Sequence, residues 1–254
     1  MAFEIKTEGK FKYLESREDG PVIMLLHGLF GALSNFSGII NHFGPKYRVI
    51  VPLLPIYELP IHLVSLDGLV KHIRDFVQEK KLTKINILGN SLGGHVALLF
   101  VLDQQEKINS MCITGSSGLF ESAMGSSFPK RGDYEYIKNK TQETFYDPAV
   151  ASKELVDEVY QITTDRLKAI RIIATAKSAI RHNLADKLDR IKVPTLIIWG
   201  KNDGVTPPFV GEKFNELIKG SEIYFLEKCG HAPMMEKPDE FNRILENFLD
   251  KHPT

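Results

Sequence analysis

The stretch Lys84-Ile85-Asn86-Ile87-Leu88-Gly89-Asn90-Ser91-Leu92-Gly93-Gly94 decides the architecture. A short apolar run, Lys84–Leu88, reads as a buried strand. The run from Leu92 to Asp103 reads as a helix packed on several sides. Between them stands G-x-S-x-G with the serine at its centre. A strand that turns into a helix within so few residues forces the central residue into strained backbone geometry, and only small neighbours such as Gly89 and Gly93 let the chain pass. The Ser91 hydroxyl is then expected above the sheet, at the positive end of the following helix.

The same alternation extends in both directions. Phe11–Leu14 reads as an edge strand, preceded by an alternating N-terminal strand in MAFEIKTEGK. Val22–Leu26, Tyr47–Val51, Asn109–Thr114, Thr195–Trp199 and Glu222–Leu226 read as further strands. Leu66–Gln78 carries apolar residues at 66, 69, 70, 73, 76 and 77, one face of a helix. Phe209–Lys219 and Glu240–Leu249 read as helices as well. Strand and helix in alternation imply an α/β fold, a mostly parallel, doubly wound sheet with helices on both faces. The rhythm breaks over residues 118–183, which start rich in Ser and Gly and continue charged and helical. That segment is expected to be a helical insertion, a cap over a crevice, with residues 1–117 and 184–254 forming the core.

A serine hydroxyl needs a base, and the base an orienting acid. His231, in Gly230-His231-Ala232, follows the strand Glu222–Leu226. Asp203 follows the strand Thr195–Trp199. Ser91, Asp203 and His231 thus all lie just past the C-terminal ends of parallel strands, where an open α/β sheet places its sites. Glu121 and Asp189 are weaker acids: small residues precede the first, and the second lies before its strand. Acyl transfer also needs two backbone N–H groups aimed at the developing oxyanion. The candidates are Leu92, after the serine, and Leu29, in His27-Gly28-Leu29-Phe30-Gly31 after the strand Val22–Leu26. His27 is expected to brace that loop.

Composition excludes several other classes. The 254 residues are 43% hydrophobic and 25% charged, unlike a disordered or fibrous chain. Thirty-two basic residues balance 32 acidic ones, which supplies no field to hold a nucleic acid. No apolar run reaches the ~18 residues of a membrane span, and the N-terminus lacks a signal-peptide core; the expectation is a cytoplasmic protein. Cys112 and Cys229 read as small buried hydrophobes. The other histidines, at 42, 62, 72, 95, 182 and 252, show no metal-ligand spacing. No cofactor and no metal are expected.

On these residues the chain resembles the α/β-hydrolase superfamily over nearly its whole length. His27–Gly31 is similar to its oxyanion loop, Gly89–Gly93 to its nucleophile elbow, Trp199–Pro207 to its acid loop, and Gly230–Pro233 with Glu236-Lys237-Pro238 to its histidine loop. Within it, the meta-cleavage-product hydrolases, which split carbon–carbon bonds, are the nearest flavour. Asn90 matches their Gly-Asn-Ser elbow, Ser34-Asn35 a pair after their oxyanion loop, and Phe145-Tyr146-Asp147-Pro148 and Glu154-Leu155-Val156 their cap. Those enzymes hold a substrate carboxylate with a cap Arg; an ungapped reading puts Val159-Tyr160 there, with Arg166, Arg171 or Arg181 as substitutes. Their aromatic after the histidine is Ala232 here.

The resemblance implies a serine hydrolase acting through an acyl-enzyme on Ser91. Apolar rim residues, including Pro52–Tyr57, Phe120 and Met124, point to a small, mostly apolar carboxylic ester, with Phe30, Asn35, Asn90, Leu119 and Met234 as substrate contacts. The alternatives are a carbon–carbon hydrolase taking a ketone and a ligand-binding receptor on the same scaffold.

Overall fold

The computed structural model describes residues 4–31, 36–120 and 132–254. Eight strands among them form one sheet: β1 (Ile5–Glu8), β2 (Phe11–Glu15), β3 (Val22–Leu26), β4 (Arg48–Pro52), β5 (Ile85–Asn90), β6 (Ile108–Thr114), β7 (Thr195–Gly200) and β8 (Glu222–Leu226). Their order across the sheet is β1-β2-β4-β3-β5-β6-β7-β8. From β4 to β8 every pairing is parallel, whereas β1 and β2 join antiparallel. The edge expected at Phe11–Leu14 is displaced outward. That strand pairs with both β1 and β4, and β1, with Ile5 half-exposed, forms the edge instead.

Parallel strands covered on both faces must be apolar at nearly every position, and β3 and β5 are buried throughout. Alternate side chains feed two clusters. Met24, Ile50, Ile87, Met111, Ile113 and Ile197 pack against α2 (Leu66–Glu79), α3 (Leu92–Gln104) and α7 (Pro208–Leu217). Ile23, Val49, Leu88, Cys112, Leu196 and Ile198 pack on the other face against α1 (Ser37–Phe43) and α9 (Pro238–Lys251). The period-2 alternation of a strand thus divides the core into two layers. Helix α2 begins where the Ser65 side chain accepts the Gly68 N–H, and it buries Leu66, Leu69, Val70, Ile73, Phe76 and Val77, the stripe read from the sequence.

Between β6 and β7 the described residues contain α4 (Tyr134–Gln142), α5 (Lys153–Thr164) and α6 (Arg166–Arg181) and no strand. Both ends of this segment meet, since Leu184 N–H donates to the Gly118 carbonyl at 2.8 Å. Its first part returns to the core, with Phe145, Ala151 and Val156 joining the cluster that holds Cys229, Ala232 and Met234. Along α6, Ser178 Oγ accepts the Leu66 N–H at 3.0 Å, fastening that helix to the start of α2.

The chain runs from β3 out to β4 on one side, then crosses to β5 on the other. The strand order therefore reverses between β3 and β5. In an open α/β sheet such a reversal opens a crevice at the carboxyl ends of the two strands. Gly28 follows β3 and Ser91 follows β5, and a Cβ placed on Gly28 would lie 3.2 Å from the Ser91 Cβ.

Candidate active site

Ser91 has φ 56° and ψ −121°, a region that non-glycine residues enter at a cost of about 1–3 kcal/mol. The surrounding backbone imposes it. Ser91 N–H donates to the Thr114 carbonyl at 3.1 Å, while its own carbonyl accepts from His95 N–H (3.2 Å) and Ser117 N–H (3.3 Å). The turn is so tight that a Cβ on Gly89 would come within 2.4 Å of the Gly93 oxygen, and one on Gly93 within 2.0 Å of the Leu26 oxygen. These close approaches of backbone are the reason both positions need glycine. Leu92 opens α3, so its N–H has no acceptor inside the helix.

The loop after β3 is a turn closed by Gly31 N–H to the Gly28 carbonyl (3.2 Å), with Leu29 and Phe30 at its centre. Two side chains brace it. His27 Nδ1–H donates to the Gly28 carbonyl at 2.9 Å, and Nε2 accepts the Leu54 N–H at 3.0 Å. Both ring nitrogens are thereby engaged in the neutral form. Burial also pushes the imidazole pKa below its ordinary value, against the lesser pull of the Gly28 carbonyl. The Tyr57 hydroxyl donates to the Leu29 carbonyl. No local pattern in Ile56-Tyr57 reveals that contact, because it joins loops after different strands.

Asp203 and His231 meet across the ends of β7 and β8. His231 Nδ1 lies 2.9 Å from Asp203 Oδ2, with both side chains buried. A carboxylate oxygen accepts, so Nδ1 carries a hydrogen, and in the neutral ring the lone pair is on Nε2. The carboxylate is itself fixed. Oδ1 accepts from Val205 N–H (2.8 Å) and Thr206 N–H (2.9 Å), and Oδ2 also accepts from the Thr206 hydroxyl (2.9 Å). Thr206 is anchored in turn by the Trp199 indole N–H, which donates to its carbonyl at 2.8 Å. The threonine stands in Val205-Thr206-Pro207, inside the acid loop, but only folding shows its hydroxyl on the acid.

The remaining expected contacts divide. The Asn90 amide is buried, and its nitrogen donates to the carbonyls of Thr114 (3.1 Å) and His231 (3.2 Å). Its donors are therefore spent on holding the elbow to the histidine loop. Met234 is 2% exposed and packs in the cluster with α1 and α9. Leu29, Phe30, Leu119 and Phe120 remain half-buried, with Phe120 edge-on to Phe209 at 5.2 Å. Ser34, Asn35, Glu121 and Met124 lie outside the described residues. Cys112 and Cys229 are buried free thiols, each pushed up in pKa chiefly by that burial. Among the described residues no group of three or more His, Cys, Asp or Glu is placed to hold a metal ion, and no helix is long and apolar enough to cross a membrane.

The site thus joins a mostly parallel sheet with its strand order reversed at β3/β5, a serine at positive φ after β5 and a buried Asp–His pair after β7 and β8. The sequence matches the alpha/beta hydrolase fold family over residues 21–145 and 163–238, and the chain belongs to that family. It is 27% identical over 254 residues to the 2-hydroxy-6-oxo-6-phenylhexa-2,4-dienoate hydrolase of Comamonas testosteroni, covering 91% of this chain and 88% of that one. It is 28% identical over 255 residues to monoacylglycerol lipase ABHD6 of Bos taurus, covering 90% and 75%. Among solved structures it is similar to MGS-MChE2, an alpha/beta hydrolase enzyme from the metagenome of lagoon sediments at Mar Chica, Morocco. Identity there is 42% and the TM-score 0.80, with 98% of each chain covered.

Proposed function

We propose that the protein is a serine hydrolase that cleaves a small, mostly apolar carboxylic ester through an acyl-enzyme on Ser91. Ser91 Oγ attacks the ester carbonyl carbon while His231 Nε2 takes its proton. The Leu29 and Leu92 N–H groups hold the oxyanion of the tetrahedral intermediate. That intermediate collapses, and the alcohol leaves with the proton from His231. A water then gives a proton to His231 and attacks the acyl carbon; the second tetrahedral intermediate collapses, His231 returns that proton to Ser91 Oγ, and the acid is released. Asp203 holds the tautomer and stabilises the imidazolium.

The observation that carries this reading is the buried Asp203–His231 pair at 2.9 Å, in the same fold that strains Ser91 to φ 56°. Residues 118–183 form the cap in this proposal. Support comes from the closure of their ends by Gly118 and Leu184 and from the absence of strands among the described residues between β6 and β7. Phe30 and Leu119 line the acyl pocket, consistent with their half-buried state.

The second reading is carbon–carbon cleavage, favoured by relatives such as the Comamonas testosteroni enzyme. It requires a cation for the substrate carboxylate. Val159 is buried, and Tyr160 packs edge-on to Tyr134 at 5.2 Å. The Arg171 guanidinium donates to the carbonyls of Leu59 (2.9 Å) and Leu167 (3.1 Å), while Arg166 and Arg181 are exposed. This arrangement favours the ester.

Steady-state hydrolysis of p-nitrophenyl esters from acetate to decanoate, with Ser91→Ala as the blank, tests the proposal. The expected result is multiple turnover that vanishes in the variant, with an optimum at short acyl chains. A single burst, or no release, overturns it and leaves the ring-fission dienones and the receptor reading to be assayed.

A further inference from the structure

Glu236 ends the short helix α8 (Pro233–Glu236), just beyond His231. Its two carboxylate oxygens reach separate stretches of chain. Oε1 accepts the Gly230 N–H at 2.7 Å; Oε2 accepts the Tyr146 N–H at 2.8 Å and the Asp147 N–H at 3.4 Å. The stretch that begins at Thr144 leads out of α4 and lies directly on the histidine loop. His231 N–H donates to the Thr144 carbonyl at 2.9 Å, and a Cβ on Gly230 would come within 2.7 Å of that oxygen. On the other side, the Asn90 amide donates to the His231 carbonyl at 3.2 Å. The peptide groups flanking the imidazole are therefore held from two directions, and the carboxylate closes one of them.

Some surface carboxylates pair with lysine, as Glu143 does with Lys140, and others, such as Asp133 and Asp165, accept N–H groups only from the helix turn they begin. Glu236 instead receives backbone N–H groups from both the residue before His231 and the chain after α4. A charged acceptor bonded to several N–H groups fixes distance and direction better than a flexible ion pair does. Losing it removes the carboxylate bridge from Tyr146 and Asp147 to Gly230, leaving the Thr144 carbonyl bond to His231 N–H and the packing of Phe145 as the remaining ties.

We propose that Glu236 is a positioning residue, a strut that binds the stretch 144–147 to the loop of His231 and so sets the imidazole against Asp203. The inference rests on reading His231 as the general base. In it the segment between β6 and β7 holds the base as well as covering the crevice.

The test compares full-length Glu236→Gln and Glu236→Ala with wild type on p-nitrophenyl butyrate. It also records the low-field NMR resonance of the His231 Nδ1 proton at a temperature where circular dichroism shows all three folded. The expected result is a fall in kcat of about tenfold or more, since small misplacements of a catalytic group are costly. KM should stay within about twofold, and the Nδ1 resonance should shift or broaden. Glu236→Gln, of the same shape, carries the measurement if the alanine variant does not fold. Wild-type kcat and resonance with a raised KM would overturn the proposal and leave Glu236 an anchor of the insertion alone. If wild type itself turns over no ester, the ester reading falls, while the Nδ1 resonance still decides whether the strut sets the imidazole.

Discussion

The elbow around Ser91 and the loop around His231 solve the same problem, holding one side chain in place, by opposite means. At the elbow the constraint is steric. Gly89 and Gly93 leave no room for a methyl group, and the backbone itself drives Ser91 to positive φ. At the histidine loop the constraint is polar. Asp203, Thr206, Asn90 and Glu236 each contribute a hydrogen bond to His231 or its neighbours. A steric constraint tolerates changes of charge and fails on added volume; a polar one tolerates small changes of shape and fails when a donor or acceptor is lost. Ser91 and His231 are thus exposed to different kinds of mutation.

The largest effect is expected at Ser91. Ser91→Ala should lower ester turnover on the order of 10⁴-fold or more. The thermal midpoint should stay within a few degrees of wild type, because Ser91 is only half-buried. An unchanged rate would remove the serine mechanism. Gly93→Ala separates the two kinds of constraint most sharply. Its methyl would sit 2.0 Å from the Leu26 oxygen, so a loss of about 3 kcal/mol or more is expected in urea unfolding. A stable, active Gly93→Ala would show that the elbow is not sterically set.

Thr206→Val is nearly isosteric and strikes only the polar loop. It removes the hydroxyl that donates to Asp203 at 2.9 Å. A loss of about 1–2 kcal/mol in stability is expected, with kcat down roughly tenfold. Equal kcat in the two proteins would leave the network without a role in orienting the base.

The smallest effect is a pH dependence on the elbow side. His95 is buried on α3, its ring nitrogens 3.2 Å from Ser117 Oγ and 2.9 Å from the His182 carbonyl. Burial lowers its pKa from 6.5 to about 4, against the opposing pull of the His182 carbonyl, with the His182 ring adding to the fall. The unfolded chain therefore binds a proton that the folded one refuses between those values. The stability this supplies is full above pH 6.5 and is lost as pH falls towards 4. His95→Gln should flatten the decline between pH 7.5 and pH 5 by about 1–2 kcal/mol in urea titrations. A decline as steep as wild type's would place the acid sensitivity elsewhere.

Much of this was legible in residue order because it is local. The period-2 and helical patterns mark strands and helices, and a serine between small residues at a strand-to-helix junction implies the elbow. Asp203 and His231 could be chosen because each follows a strand whose neighbours in the sheet follow from alternation. Side-chain contacts between distant loops leave no such trace. Glu236 bonded to Tyr146, and Tyr57 bonded to Leu29, join residues whose separation carries no periodicity. Asn90 has a structural part that its place beside Ser91 does not reveal: its amide nitrogen donates to the backbone carbonyls of Thr114 and His231. The outer strand β1 was read as a strand but not as the edge, because Thr7 and Glu8 give no sign of which neighbour they pair with.

The bond from His231 N–H to the Thr144 carbonyl has a consequence for recombination between relatives. A chimaera that exchanges the whole chain between β6 and β7 replaces the partner of the histidine loop along with α4, α5 and α6. A crossover placed after Asp147 and before Ser152 keeps Thr144, Tyr146 and Asp147 with the parent core. It still delivers a foreign α5 and α6. Libraries cut at that junction should yield folded, active chimaeras more often than libraries cut within α4, since only they keep the native partner of the His231 loop.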